Sequence, residues 1–435
     1  MASVQEEILG VLTRRGIVSS DDLQSALGVS QATTSRALAE LSSQVLTLGR
    51  ARATRYALPQ AIRGLPAQQE LWWTHPDGSV QALGTLSFLR SDQVHVESAF
   101  APSGASRALP WYLAPLRVQG FLGRLHAQRL QLAGLSGDPD RWPLQDLLFA
   151  ALHLHDVPGA VSLGAGPTSA TALPRVPSTG AGLAPALDAL ADDVAKTLPA
   201  GSSAGGEQPK FLACTDLGQH LLVKFSPPRG TPFGERWHDL LHAEHLAHQV
   251  LAAHGVEVAQ TRLVATDHRS YLLSQRFDRV GEHGRRHMVA VGDVHTAFVA
   301  DRYVNWATTT RMLARQGRLS ALDAQRAAAL LAFGRLIGNS DMHAGNLSLI
   351  VGLPDLAKGR FQLAPVYDML PMRWRPQAEL GGAPDYAAFE LDPASLASGA
   401  RAPAQDYWQR LAALTAVSPG LRQVAAEMAQ QLRAG

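Results

Sequence analysis

Cysteine is nearly absent from the sequence: Cys214 is the only one in 435 residues. A disulfide framework within the chain is thereby excluded, and a reducing, cytoplasmic setting is expected. Charge is sparse too. Charged residues make up 17% of the chain and cancel to a formal net charge of +2, too mild a balance to imply nucleic acid by itself. No apolar run reaches the roughly 18 residues of a membrane-spanning helix, and the first residues lack the basic-then-apolar pattern of a secretion signal, so no membrane role is expected. What remains is a hydrophobic content of 46%, enough for a substantial core, over a length that suits two or three domains.

The first sixty residues read as a separate unit. Val4, Ile8, Val11 and Leu12 form one helical stripe closed by Gly16, and Ser19 to Asp22 offer cap chemistry for a second helix carrying Leu23 and Leu27. In "LGVSQATTSRALAEL" Gly28 ends that helix, Ser30 caps the next, and Ala37, Leu38 and Leu41 give it an inward face. Helix, glycine turn, helix is a helix-turn-helix arrangement. "VLTLGRARATRYAL" then reads as two short strands around Gly49–Ala53. Residues 1–60 resemble the winged helix-turn-helix domains of bacterial regulators. On that resemblance Gln31, Thr33, Thr34 and Ser35 sit where such domains reach base edges, Arg36 joins the DNA-binding residues, and Arg50, Arg52 and Arg55 of the wing could hold phosphates.

Residues 61–165 carry strand-like pieces, "ELWWTH", "QALGTLSFL" and "QVHVESAF", followed by helical or loop segments. From Ala165 to about Gly182 the composition turns to Gly, Pro, Ser and Thr, which reads as a linker or mobile loop, and a helix over Ala184–Leu198 is expected next.

The chemistry begins at "GSSAGGEQPKFLACTDLGQHLLVKFS", from Gly201 to Ser226. Glycine-rich backbone ahead of a hairpin can approach a polyphosphate and offer amide donors. Lys224 lies within the apolar strand "LLVKF", where a lysine either snorkels or meets an anion. Trp237, Leu240, Glu244, Ala247 and Leu251 share one helical stripe, so Glu244 points with apolar residues and requires a cation. A strand lysine paired with a helix glutamate is how protein kinases place a lysine on nucleotide phosphates. In "RLIGNSDMHAGNLSLI" Asp341 and Asn346 are spaced as in the kinase catalytic loop, where the Asp accepts the proton of the attacking hydroxyl and the Asn binds magnesium. Two strands, 346–351 and 360–366, lead to "APVYDML", which sets Asp368 where kinases keep a second metal-binding acid. A zinc hydrolase is the weaker reading. His238, His242, Glu244, His245 and His248 share a helix, but H-E-x-x-H is missing and a mostly solvated histidine face is expected.

Taken together, "LPWYLAPLRVQGFLGR", "HDVPGAVSLG", "SSAGGEQPK", "LLVKF", "HAEHL", "SQRFDR", "GNSDMHAGNLSL" and "APVYDMLP" resemble the HipA-type serine/threonine kinases of bacterial toxin–antitoxin systems, over roughly residues 75–400. The resemblance implies an α+β, two-lobed protein-kinase-like fold with an N-terminal β-rich subdomain, here preceded by the winged helix. The expected divisions are 1–60, 61–165, 166–280 for the lobe with the Gly-rich loop, and 281–435 for the helical lobe. It implies ATP and Mg2+ as cofactors, with Gly205, Gly206, Glu207, Gln208 and Lys210 over the phosphates and Lys224, oriented by Glu244, on them. Gln275, Arg276 and Phe277 become the adenine hinge, His343 joins the nucleotide site, Asp341 is the catalytic acid–base, and Asn346 and Asp368 are the metal ligands. Ser203 matches the loop serine that this family autophosphorylates. Family toxins usually work with a separate helix-turn-helix antitoxin, whereas this chain carries its own. The expected partners are therefore DNA through residues 1–60, a protein substrate phosphorylated on Ser or Thr, and a second copy of the chain, with no separate antitoxin required. Two other readings compete. "SDMHAGN" also resembles the loop of antibiotic and choline kinases, which implies a small-molecule phosphotransferase, and the fold could instead serve a transcriptional regulator as a nucleotide sensor.

Overall fold

The computed structural model describes residues 3–49, 51–154, 156–166, 173–197, 208–377 and 382–434. The chain forms two compact units, Met1–Thr74 with Ser79–Gln119 and His126–Ala170, and His75–Gly78 with Gly120–Leu125 and Thr171–Gly435.

In the first unit, helices α1 (Val4–Arg15), α2 (Ser20–Leu27) and α3 (Gln31–Glu40) start where the cap residues place them. Ser3 and Ser19 each close a capping box, with Glu6 and Asp22, and Ser30 accepts from the amide of Thr33. Their apolar stripes meet in one core that includes Ile8, Leu12, Leu23 and Leu38. Strands β1 (Leu46–Leu48) and β2 (Arg55–Ala57) pair antiparallel, and Leu48 and Ala57 pack on Leu89. Leu89 ends β4, so the hairpin shares a core with the sheet that follows. That sheet has the order β6-β5-β4-β3-β7, from β3 (Gln68–Thr74), β4 (Val80–Leu89), β5 (Gln93–Glu97), β6 (Gly104–Ser106) and β7 (Val161–Leu163). Helices α4 (Gly120–Leu130) and α5 (Leu144–Leu152) lie between β6 and β7 in the chain.

The second unit opens with β8 (Arg175–Val176), α6 (Leu183–Thr197), β9 (Lys210–Thr215), β10 (His220–Phe225), α7 (Pro232–Ala253), β11 (Thr261–Ala265) and β12 (Ser270–Gln275), with sheet order β11-β12-β10-β9-β8. β8 falls within the stretch read from composition as a linker: Arg175 and Val176 pair in parallel with Cys214 and Thr215, and Val176 is buried in the core. Alternation sorts the sheet's two faces. Ala213, Val223, Phe225 and Leu273 pack with Leu187 and Ala191 of α6, while the cross-strand pairs Lys210–Lys224 and Lys224–Leu272 lie on the opposite face.

The remainder comprises β13 (Arg279–Val280), β14 (Gly284–Arg285), β15 (His287–Ala290), α8 (Val291–Phe298), α9 (Trp306–Arg315), α10 (Ala321–Leu336), β16 (Ser348–Val351), α11 (Leu353–Leu356), β17 (Gln362–Leu363), α12 (Pro393–Leu396), α13 (Arg401–Ala413) and α14 (Pro419–Ala434). β15, β16 and β17 form a small antiparallel sheet. Among the described residues no helix is long and apolar enough to cross a membrane.

The histidines of α7 do not form a solvated face. His238 and His248 are buried, and His242 and His245 half-buried, because the helix is covered by the sheet on one side and by α13 on another. His238 bonds Ser270 Oγ at 2.6 Å and the Ala416 carbonyl at 2.8 Å, a structural role. Burial holds the His242 ring down at about 4 and that of His248 at about 3, so both are neutral near pH 7.

Candidate active site

Lys224 sits mid-strand in β10, and Glu244 is on the apolar stripe of α7 that covers the same sheet face. The Lys224 Nζ donates to both Glu244 oxygens, at 2.6 and 2.8 Å, with both side chains almost wholly buried. It also donates to Asp368 Oδ1. Burial alone lowers a lysine, but the two carboxylates outweigh it and raise Lys224, which stays an ammonium. Burial raises Glu244 despite Lys224. Burial also opposes ionisation of Asp368, yet Lys224 and Lys210 override it and hold that carboxyl at about 2.

Lys210 lies directly across from Lys224 in the β9–β10 register. Like charges facing one another across a strand pair are destabilising unless an anion lies between or above them. Burial pulls Lys210 below the ordinary lysine value, while Asp368, Glu244 and Asp341 act against it. Gln208, two residues earlier, is buried with its Nε2 without a hydrogen-bond partner. Two lysines therefore face one another on the sheet face that meets Glu244 and Asp368, and the unmet amide donor of Gln208 lies two residues before Lys210 in the chain.

Asp341 follows the end of α10. Its backbone amide donates to Asn339 Oδ1 at 3.0 Å, and its carbonyl accepts from Asn346 Nδ2 at 2.8 Å. Asn339, buried, also donates to the Asp368 carbonyl at 3.3 Å. Tyr367 Oη donates to the Gly345 carbonyl at 2.9 Å and pairs with Ser348 Oγ at 2.6 Å. The indole of Trp306, at the start of α9, donates to the His343 carbonyl at 2.9 Å. The exposed His343 accepts the Gly345 amide on Nδ1 at 2.9 Å. Asp368 itself adopts φ +52, a left-handed conformation that costs a non-glycine residue about 1–3 kcal/mol and is held only by surroundings such as these.

The structure thus brings together Lys210, Lys224, Glu244 and Asp368, sets Asp341 within electrostatic reach of Lys210, and ties Asn346 to Asp341. Glu244 has both oxygens on Lys224, so it positions that lysine. At the expected hinge, the Gln275 and Arg276 amides are taken by the Gln260 and His220 carbonyls. The Arg276 guanidinium, expected to touch nucleotide, is committed to Asp278 at 3.0 and 2.9 Å. Phe277 is half-buried, with its ring 5.8 Å from that of Tyr367. Gly205, Gly206, Glu207 and Ser203 lie outside the described residues. Sequence reasoning missed Asn339, Trp306 and Tyr367. In sequence, Asn339 of "GNSD" looks like an ordinary turn residue, and the other two carry no signal apart from their contacts.

The HipA-like C-terminal domain family matches residues 202–435, and a YjjJ-like toxin middle domain matches residues 65–171. The chain belongs to the HipA-like family. A curated relative, Toxin YjjJ of Escherichia coli strain K12, is 34% identical over 97% of this chain and 96% of its own length. The HipA-like fold is also seen in a solved structure, a chain of the Shewanella oneidensis MR-1 toxin–antitoxin complex of HipA, HipB and operator DNA. It covers 84% of this chain and 96% of its own, with a TM-score of 0.54 and 18% identity.

The donor set around Lys224 is of a kind that could accept magnesium and a polyphosphate. Among the described residues no cluster of three or more His, Cys, Asp or Glu could hold a metal alone. Magnesium, however, typically takes one or two protein carboxylates and completes its shell with phosphates and water. Asp368 and the side-chain oxygen of Asn346, whose Nδ2 is already used, would be the protein ligands of such a cation, and Lys210 and Lys224 would meet the charge of a phosphate.

Proposed function

We propose that the protein is a HipA-type toxin kinase that transfers phosphate from ATP to a serine or threonine of a protein substrate. The observation that carries this reading is the convergence of Lys210 and Lys224 with Glu244, Asp368 and Asp341 around one buried spot. Bound magnesium–ATP would supply the transferable phosphoryl group and neutralise its charge. Asp341, held by Asn339 and Asn346 through its backbone, leaves its carboxylate to orient the acceptor hydroxyl and take its proton. Lys224, fixed by Glu244, holds phosphate oxygens, and Asn346 and Asp368 take the cation. Phosphorylation of Ser203 in the Gly-rich loop would add negative charge where phosphates bind and silence the enzyme. The test is labelled ATP with the purified chain and cell extract. Label on protein, Ser203 included, supports the reading, while label only on a sugar or amino alcohol points to a small-molecule phosphotransferase.

Residues 1–60 are proposed to bind DNA. Gln31 and Arg36 are exposed on α3, Thr33 is half-buried, and Arg55 is exposed on β2. Thr34 drops out of that surface: it is fully buried and its hydroxyl donates back to the Ser30 carbonyl at 3.1 Å. Arg50 lies outside the described residues, and Arg52 falls in the turn Ala51–Ala53 between the strands. Arg36→Ala with Arg52→Ala is expected to weaken DNA binding and reduce the salt slope by at most about two. Fluorescence anisotropy across a salt series checks this, and an unchanged slope removes both arginines from the interface.

A further inference from the structure

Just after Asp368 the chain runs through Met369, Leu370 and Pro371 into a tight turn, Met372–Trp374, and then Arg375 and Pro376. This stretch is fixed by an aromatic cluster. Trp374 is buried with its ring 5.4 Å from Tyr386, 6.1 Å from Phe389 and 6.0 Å from Trp408. Arg236 clamps it by donating to the Trp374 carbonyl at 2.9 Å and the Pro384 carbonyl at 2.6 Å.

The same cluster holds the start of the catalytic loop. Trp408 Nε1 donates to the Leu336 carbonyl at 3.0 Å, and the Arg373 amide donates to the Gly338 carbonyl at 3.1 Å, three residues before Asp341. Gly338 has φ +75, and a Cβ there would come within 2.8 Å of Arg373 Cδ and 3.0 Å of the Phe389 ring, so the arginine stem passes directly over it. The Arg373 guanidinium lies 3.9 Å from the Phe389 ring centre.

Arg373 and Arg375 are both exposed, and among the described residues neither has a carboxylate partner, although Asp385 and Glu390 are exposed on the same stretch. The Arg373 guanidinium, stacked on Phe389 rather than paired, and the exposed Arg375 at the end of the same turn set two cations side by side for an external anion. We propose that Arg373 and Arg375 form a docking surface for an acidic segment of the protein substrate, next to the serine or threonine presented to Asp341. This rests on the kinase reading and names its substrate class: an acceptor hydroxyl flanked by Asp or Glu.

The experiment uses the full-length chain and two fluorescent peptides, a serine flanked by glutamates and the same serine flanked by lysines. Anisotropy reads binding and labelled ATP reads transfer. The parent should bind the acidic peptide at least about tenfold more tightly than the basic one. Arg373→Glu with Arg375→Glu should abolish that preference. Arg373→Lys with Arg375→Lys should keep part of it, and Arg311→Glu with Arg315→Glu, exposed arginines on α9, should keep all of it. A parent without preference, or a folded Glu double variant that retains it, overturns the docking surface and leaves the kinase reading intact. Selective binding with no label on either peptide or on the protein itself overturns the kinase reading while the acid-binding surface stands.

Discussion

Lys224→Met is expected to destabilise the protein by about 3–5 kcal/mol, because it strands a buried carboxylate that, among the described residues, has no other cation in bonding distance. Glu244 is 2% exposed and spends both oxygens on Lys224, so removing the ammonium leaves it charged inside a packed helix–sheet interface. The pH dependence gives the effect a signature. Burial already raises Glu244, and without Lys224 it rises further, so the folded variant binds a proton more readily than the unfolded chain. The deficit is therefore greatest near neutral pH and shrinks as the pH falls towards the carboxylate range. Asp368 behaves in the opposite sense in the parent: its carboxyl lies at about 2 against an ordinary 3.8, so its contribution is present above 3.8 and fades as pH drops towards 2. Adding Glu244→Gln to Lys224→Met should recover most of the loss, since the stranded charge is then gone. Denaturant titrations at pH 5 and pH 7.5 check this. A Lys224→Met variant as stable as the parent at both would mean that the pair is not buried as described.

Asp341→Ala should lower phosphate transfer by about 10²–10⁴-fold, the usual contribution of a positioned general base. Nucleotide affinity should stay close to the parent's. The loop around Asp341 is held by its backbone, through the Asn339 and Asn346 bonds, so truncating the carboxylate removes the base without releasing the loop. Label incorporation into protein and nucleotide titration, run side by side, separate the two effects. Transfer at the parent's rate would remove Asp341 from the chemistry.

Much of this architecture is legible from the amino-acid order, for identifiable reasons. The cap serines Ser3, Ser19 and Ser30 act within three residues of themselves, so local spacing suffices to place α1 to α3. Lys224 and Glu244 were readable as a pair because an ionised group in an apolar repeat needs a partner. What escaped notice depends on packing from far along the chain. Val176 becomes a strand residue only through its pairing with Thr215, in a stretch whose composition reads as linker. The α7 histidines are covered by distant elements, and so they are structural rather than solvated. Asn339 looks like any turn residue until its amide is seen bridging Asp341 and Asp368. Arg276 resembles a hinge residue in "SQRFDR", but Asp278, two positions on, claims its guanidinium. Thr34 looks like a base reader, yet the helix turns it inward.

The central claim is that lysines from a sheet and acids from two distant loops converge on magnesium-bound ATP. Titration calorimetry of the full chain with ATP tests it most directly. The account predicts single-site binding that requires magnesium and weakens at least about tenfold in Asp368→Ala. Absence of nucleotide binding with magnesium present, or binding indifferent to both magnesium and Asp368, would contradict it.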